Sequence, residues 1–336
     1  MTAKPPGPAV TRHVWRTVLA HLEICRPDTI FYGGLVPVAG ALLADPHTSP
    51  WRLAGVWAAI TLGWISSLYG GDYFDRELDA LAKPRRPIPS GRMRAGTAFR
   101  GMVVTIAAGT VLAVVLNPFN IVLVLVTIVL GVSYARVFKA RGLSGNLVRG
   151  APTALAFVVG MAATGTDPRW ELLPFCLVFW LHDSASNLVG ALCDVAGDRR
   201  GGYRTFPVRH GDAATLRVLY VMNGAWVALA VLYPPLLGEP VDLAAYFRFL
   251  VPTVLLGLVP LLMLSRARRP ISRLAALRAH EVIVVERLVL AAAVIAAADE
   301  RIALTLFVPA LALTVVSRAI MRRRDHPSLR RQRVAR

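Results

Sequence analysis

Charge is scarce in this 336-residue chain: Asp, Glu, Lys and Arg together make up 17% of it, against about a quarter in soluble domains. That deficit argues against a soluble fold. Acidic residues are the rarer sign, 20 against 38 Lys and Arg, and the formal net charge is +18. With 55% hydrophobic residues, the chain cannot spread this excess evenly over one surface, so the positive charge must be concentrated. Cysteine is nearly missing. Cys25, Cys176 and Cys193 are far apart, lie in or beside apolar segments and form no C-x-x-C pattern, so they read as small buried hydrophobes. The N-terminal stretch is polar for too long to be a cleavable signal peptide, which needs a short basic start followed directly by an apolar run.

Strong basicity fits nucleic acid, anionic lipid or an anionic small substrate. A mean hydropathy of +0.54 and long apolar runs favour lipid and small anion, and no nucleic acid partner is expected. Segments of about 17 to 25 apolar residues span a bilayer as helices. Candidates lie near 29–45, 53–70, 99–116, 119–135, 150–165, 172–193, 214–234, 246–265, 281–298 and 302–318. The expected fold class is all-α, a polytopic membrane helix bundle. An alternating path from a cytoplasmic N-terminus puts 33 Lys and Arg inside and leaves Arg52, Arg169, Arg248 and Arg301 outside, with Arg287 within a span. This positive-inside bias predicts a multi-pass protein of the cell membrane and, together with attraction to anionic lipid, explains most of the basic charge. The expected organisation is a cytoplasmic segment 1–28, a transmembrane domain 29–318 and a basic cytoplasmic tail 319–336.

Two acidic motifs stand out against this background. Where the second span leaves the membrane the chain reads YGGDYFDRELDALAKPRRPIPSGRM, with Asp72, Asp75 and Asp79 spaced by three and four residues. On a helix they share one face, whereas Glu77 points elsewhere. Carboxylates stacked this way repel one another unless a cation lies between them, and hard oxygen ligands suit Mg²⁺ or Ca²⁺. The sixth span ends in ALCDVAGDRRGGYRTFPVRHG, where Asp194 and Asp198 are again four apart at the same boundary. Two helices could thus face their carboxylates across one pocket and hold metal ions jointly. Mg²⁺ usually completes its shell with water and substrate phosphates, so a diphosphate is the natural bridging ligand. Basic candidates to meet it are Lys83, Arg86 and Arg92 after the first motif, Arg199 and Arg209 after the second, and Lys139 and Arg26 nearby by topology.

These motifs resemble the UbiA superfamily of intramembrane prenyltransferases, whose signature is an N-D-x-x-D-x-x-x-D block followed by R-P-I-P-S-G-R. The first match runs from Gly71 through Arg92; the second motif, D-x-x-x-D with T-x-P-V-R-x-G, matches Asp194, Asp198, Gly202, Thr205, Pro207, Val208, Arg209 and Gly211. A weaker third match is SYARVFKARGLSGNLVRG, with Tyr134, Lys139, Gly145 and Asn146. One departure is that the family's leading Asn is replaced here by Gly71. The resemblance implies nine transmembrane helices around a central cavity, against the ten stripes counted above, so a bundle of nine to ten is expected. It also implies an Mg²⁺-dependent prenyltransferase that ionises an isoprenoid diphosphate and passes the prenyl group to a small lipophilic or aromatic acceptor. Asp72, Asp75, Asp79, Asp194 and Asp198 would hold the metal, and the basic residues would neutralise the leaving diphosphate.

Within the sixth span, HDSASNLVGALCD places Asp183, Asn187, Gly190 and Asp194 on one helical stripe. Ionisable groups inside spans usually face an interior cavity, so Asp183 and Asn187 are expected to line the acceptor pocket, with Asp183 as a base. Tyr134 and Glu286 are further cavity candidates, and Trp64, Tyr69, Phe138, Phe179 and Trp180 could offer π faces to a carbocation. The alternatives are a membrane terpene cyclase, which would use the same donor without an acceptor and for which Gly71 leaves room, and a transporter or lipid-binding protein.

Overall fold

The computed structural model describes residues 8–325 apart from 168, 239 and 240, with side chains described from 15 to 320. The end of the basic tail, 326–336, lies outside them. Among the described residues there is no strand. The α-helices are α1 (Pro8–Cys25), α2 (Ile30–Ala44), α3 (Pro50–Phe74), α4 (Arg76–Ala82), α5 (Ala95–Leu116), α6 (Asn120–Ser133), α7 (Leu143–Ala163), α8 (Leu173–Arg200), α9 (Phe206–Leu232), α10 (Leu243–Ser265), α11 (Arg273–Ala296) and α12 (Glu300–Asp325). Within segment 1–28, expected as a polar lead, residues 8–25 form a helix.

Each of the ten apolar stripes in the sequence coincides with a helix, but they do not play one role. Eight helices among the described residues are long and apolar enough to cross a membrane, and the end of α1 with α2 forms a ninth candidate bent by 48°. α11 is the exception. It carries Arg273, Arg278, Glu281, Glu286 and Arg287, yet residues 288–297 are all buried. Its charges and its apolar stretch are enclosed by α2, α8, α10 and α12, so the 281–298 stripe is a central helix sheltered by its neighbours.

The periphery shows the opposite composition. α5 and α6 leave Val104, Val111, Val115, Leu125 and Val129 more than half exposed, while Asp72, Asp79, Asp183, Asp198, Glu286 and Arg287 are buried. An apolar exterior around a charged interior suits a lipid solvent, and the chain is a multi-pass membrane protein.

Local chemistry sets the ends of several helices. Pro50 and Pro174 stand in first turns, where a missing N–H costs nothing. The side chains of Asp242 and Ser272 cap α10 and α11 by accepting from the backbone N–H of Ala245 and Ala275. α2 and α7 cross at backbone contact. A Cβ on Gly160 would lie 1.9 Å from the Pro37 carbonyl oxygen, and one on Gly40 would lie 2.2 Å from that of Phe157. Small residues permit such an approach between membrane helices.

Candidate functional site

The bundle encloses a cavity of about 1450 Å³. α8 supplies its long axis: Asp183, Asn187, Gly190, Asp194 and Asp198 all line it, as the stripe in the sequence predicts. Asp183 and Asp194 are eleven residues apart, about 16 Å of helical rise. The cavity therefore has a charged end near Asp194 and a deeper part near Asp183.

The first motif is not a single helical face. α3 stops at Phe74, Asp75 occupies the junction with φ −88° and ψ 2°, and α4 starts at Arg76. Asp75 and Asp79 still line the cavity, whereas Asp72 is buried behind its wall. Glu77 points outward, 87% exposed.

Every carboxylate of the first motif, and Asp194 of the second, is met by a cation. Arg86 Nη1 donates to Asp72 Oδ1 and Asp79 Oδ2, each at 2.8 Å, and Arg26 Nη2 reaches Asp72 Oδ1 at 3.4 Å. Lys139 Nζ donates to Asp75. Lys83 Nζ donates to Asp194 Oδ2 at 2.9 Å, joining the segment after the first motif to the second. Asp198 makes no ion pair among the described residues. Burial pushes the Asp79 carboxyl above the usual carboxylate range, against the pull of Arg86 and Lys83. Burial also disfavours the charges of Arg86 and Lys139, but Asp72 and Asp79 outweigh it at Arg86, as Asp75 does at Lys139, and both cations are held more firmly protonated than usual.

The donor set is hard oxygen and fits a divalent cation such as Mg²⁺. The expected five-carboxylate cage is not drawn together, however. Among the described residues no three His, Cys, Asp or Glu side chains gather closely enough to hold an ion; the paired carboxylates are turned to basic side chains instead, Asp72 and Asp79 sharing Arg86, Asp75 on Lys139 and Asp194 on Lys83.

The other expected residues divide by position. Lys83, Arg86, Lys139, Arg26, Tyr134 and Trp64 line the cavity. Tyr134 stands in a π-helical turn, Tyr134–Phe138, that leads to Lys139. Arg92 lies at the rim, its guanidinium on the carboxylate of Glu23 at 2.6 and 2.9 Å. Arg199 and Arg209 are exposed and lie outside the cavity lining; Arg199 follows the inward Asp198 by one residue, a turn of about 100° on a helix. Glu286 also leaves the expected site. It pairs with His182 Nε2 at 2.5 Å and lines a separate narrow crevice beside Asn223. Tyr69, Phe138, Phe179 and Trp180 are not on the cavity wall: Tyr69 meets His21, Phe179 is in the core, and Trp180 Nε1 donates to the Leu147 carbonyl.

Several wall residues escaped the motifs. Thr153 donates to Asp183 Oδ2 at 2.9 Å and positions it. Behind the wall, Asn146 of the third motif donates to Asn187 Oδ1 at 2.8 Å. Arg287 and Arg318 reach the wall from α11 and α12. A charge within an apolar stripe was the signal for Arg287, because its helical phase differs from that of neighbouring Glu286.

A helical membrane protein whose interior chamber sets carboxylates against lysines and arginines is built to handle an anion, with cations, inside the bilayer. Over residues 35–283 the chain matches the model of the UbiA prenyltransferase family, and it belongs to that family. A digeranylgeranylglyceryl phosphate synthase of Ignicoccus hospitalis is 32% identical over 228 residues, 65% of this chain and 73% of the relative. The apo structure of a UbiA homologue from Aeropyrum pernix K1 superimposes with a TM-score of 0.68 at 16% identity, covering 79% of this chain and 96% of that one. A UbiA homologue from Archaeoglobus fulgidus bound to GPP and Mg²⁺ gives a TM-score of 0.64 at 16% identity, covering 82% and 99%. α12 lies wholly beyond the matched segment.

Proposed function

We propose that the chain is an Mg²⁺-dependent intramembrane prenyltransferase that ionises an isoprenoid diphosphate and transfers its prenyl group to a small lipophilic acceptor. The observation that carries this reading is the Lys83–Asp194 contact at 2.9 Å, which brings two acidic motifs more than a hundred residues apart in sequence to one end of one cavity. The Archaeoglobus homologue bound to GPP and Mg²⁺ supports the choice of donor and ion. Asp75, Asp79, Asp194 and Asp198, backed by Asp72, would hold the metal, which when bound supplies positive charge to the departing diphosphate. Lys83, Lys139, Arg86 and Arg26 bind the diphosphate oxygens and stabilise charge that grows on them as the allylic C–O bond breaks. The apolar wall between Trp64 and Val159 keeps water from the allylic cation. Asp183, fixed by Thr153, is placed to take the acceptor's proton, and Asn187 and Tyr134 orient the acceptor. The site faces the cytoplasmic leaflet on the positive-inside argument.

Replacing Asp75 or Asp194 by Asn is expected to abolish Mg²⁺-dependent diphosphate release by the purified protein; unchanged turnover in both variants refutes the assignment. A cyclic product from farnesyl or geranylgeranyl diphosphate without acceptor would instead make the chain a cyclase.

A further inference from the structure

His182 and Glu286 are 3% and 1% exposed, and neither is on the chamber wall. His182 Nε2 and Glu286 Oε2 stand 2.5 Å apart and join α8 to α11. Their remaining polar atoms, His182 Nδ1 and Glu286 Oε1, are sealed and have no hydrogen-bond partner, so among the described residues each side chain is tied to the other alone. The pair is also boxed in. The Trp226 ring of α9 stands edge-on to the imidazole, with centroids 5.3 Å apart and planes at 78°, and Trp226 Nε1 is itself fixed on Asn223 Oδ1 at 2.9 Å. α10 packs against the carboxylate at Gly257, where a Cβ would lie 3.4 Å from Glu286 Oε1.

Such a pair contributes little to stability as such, because well-packed apolar residues of similar volume often replace a buried ionic pair without loss. What it fixes is direction. Successive residues on a helix point about 100° apart, and His182 and Asp183 are successive, so α8 turns the first into the core and the second into the chamber. Side-chain atoms stand about 5–6 Å from a helix axis, so turning α8 by about 10° would move the Asp183 carboxylate by about 1 Å. A misplacement of about 1 Å at a reacting group can cost about a hundredfold in rate. Thr153 of α7 holds the Asp183 carboxylate at 2.9 Å, and Glu286 of α11 holds the neighbouring residue from another direction. Together the two ties fix the rotation of α8 at this level.

We propose that Glu286, acting through His182, is a positioning residue that sets the rotation of α8 and so aims Asp183 at the acceptor. The inference rests on the transferase reading above, in which Asp183 takes the acceptor's proton, and it gives a role to a pair that touches neither substrate. The acidic end of α8 is tied separately, Asp194 to Lys83 at 2.9 Å, so cleavage of the donor depends far less on this clamp than transfer does.

The test uses the full chain in lipid nanodiscs with Mg²⁺ and geranylgeranyl diphosphate. Prenylated lipid is measured with a total lipid extract of the producing cells as acceptor, and diphosphate release is measured without it. His182→Leu combined with Glu286→Leu replaces the pair by apolar side chains; it is expected to lower transfer by about a hundredfold and release by far less. Glu286→Gln, whose amide still bonds the imidazole, is expected to keep most of the transfer. Gly160→Ala, which loosens the α2–α7 crossing instead, controls for lost stability and is expected to keep the ratio of transfer to release. Wild-type transfer in the double variant overturns the proposal. Equal loss of both readouts does so too, since it marks a merely structural role, as does a loss in Glu286→Gln as deep as in the double variant. If the double variant does not fold, Glu286→Asp decides: its side chain is one methylene too short for the bond, and an unchanged ratio there is equally fatal. Asp183→Asn tells this inference from the reading beneath it. Transfer retained in that variant removes Asp183 as the base, whereas transfer lost there but unaffected in the Glu286 variants removes the clamp alone. Diphosphate release by wild type without any prenylated lipid removes the transferase reading and this inference with it.

Discussion

Gly71 lines the cavity, and no atom lies within 4 Å of where its Cβ would be. The space for the family's Asn is therefore present although the side chain is not. Gly71→Asn is expected to fold normally and to lower the Mg²⁺ concentration for half-maximal diphosphate release, because it adds a hard oxygen ligand; a titration of rate against Mg²⁺ measures it. Asp79 gives a second expectation. Burial raises its pKa, so as pH falls it takes a proton before an ordinary carboxylate would, and a neutral acid is a poor Mg²⁺ ligand. The Mg²⁺ requirement should rise on acidification from neutrality, beginning at a higher pH than an unperturbed Asp would cause, and the same titration repeated at several pH values checks it. At this scale the sequence was legible where a residue lay in a spaced motif, as with Asp75, Asp194, Lys139 and Asn187. It was silent on which cation each Asp would take, since Lys83 reaches Asp194 across the fold. It misplaced Glu286 because a buried acid satisfied by His182 and one lining a chamber look alike in sequence.

Among the elements, the crossing of α2 and α7 and the break between α3 and α4 carry the clearest consequences. Gly160→Ala pushes a methyl against the Pro37 carbonyl, and overpacking of this kind typically costs about 1–3 kcal/mol. Gly224→Ala, in α9 with open space around it, removes helix-weakening glycine and should gain up to about 1 kcal/mol. Thermal unfolding in detergent should therefore fall for the first and hold or rise for the second. The break at Asp75 was not readable from its spacing, because three residues at i, i+3 and i+7 fit a continuous helix equally well. α11 was read as a span because its apolar half is long enough, but its charged first half is tolerable only through enclosure by other helices, a tertiary property that hydropathy does not report.

For the whole molecule, the inverted arrangement of an oily exterior and an ionic interior was visible in composition and in the distribution of Lys and Arg. The chamber itself was visible only as two acidic ends that ought to meet. Its volume and the contribution of α12, which brings Arg318 to the wall from beyond the family match, depend on how the long helices pack. Arg318 and Asp28 tie α12 to the corner between α1 and α2, where Arg26 adopts a left-handed φ of 43°. Arg318→Ala should loosen that corner, and limited proteolysis should cut between α1 and α2 sooner than in the wild type.

Lys83 and Lys139 each have one ammonium group and two prospective claimants, an aspartate now and a diphosphate later. Neither lysine can fully serve both. A divalent ion that takes over the aspartates frees the lysines for the donor, and a donor that draws the lysines away uncovers the aspartates for the ion. Saturation by either should therefore sharpen in the presence of the other, a reciprocal linkage written into the pairing of side chains before any substrate arrives.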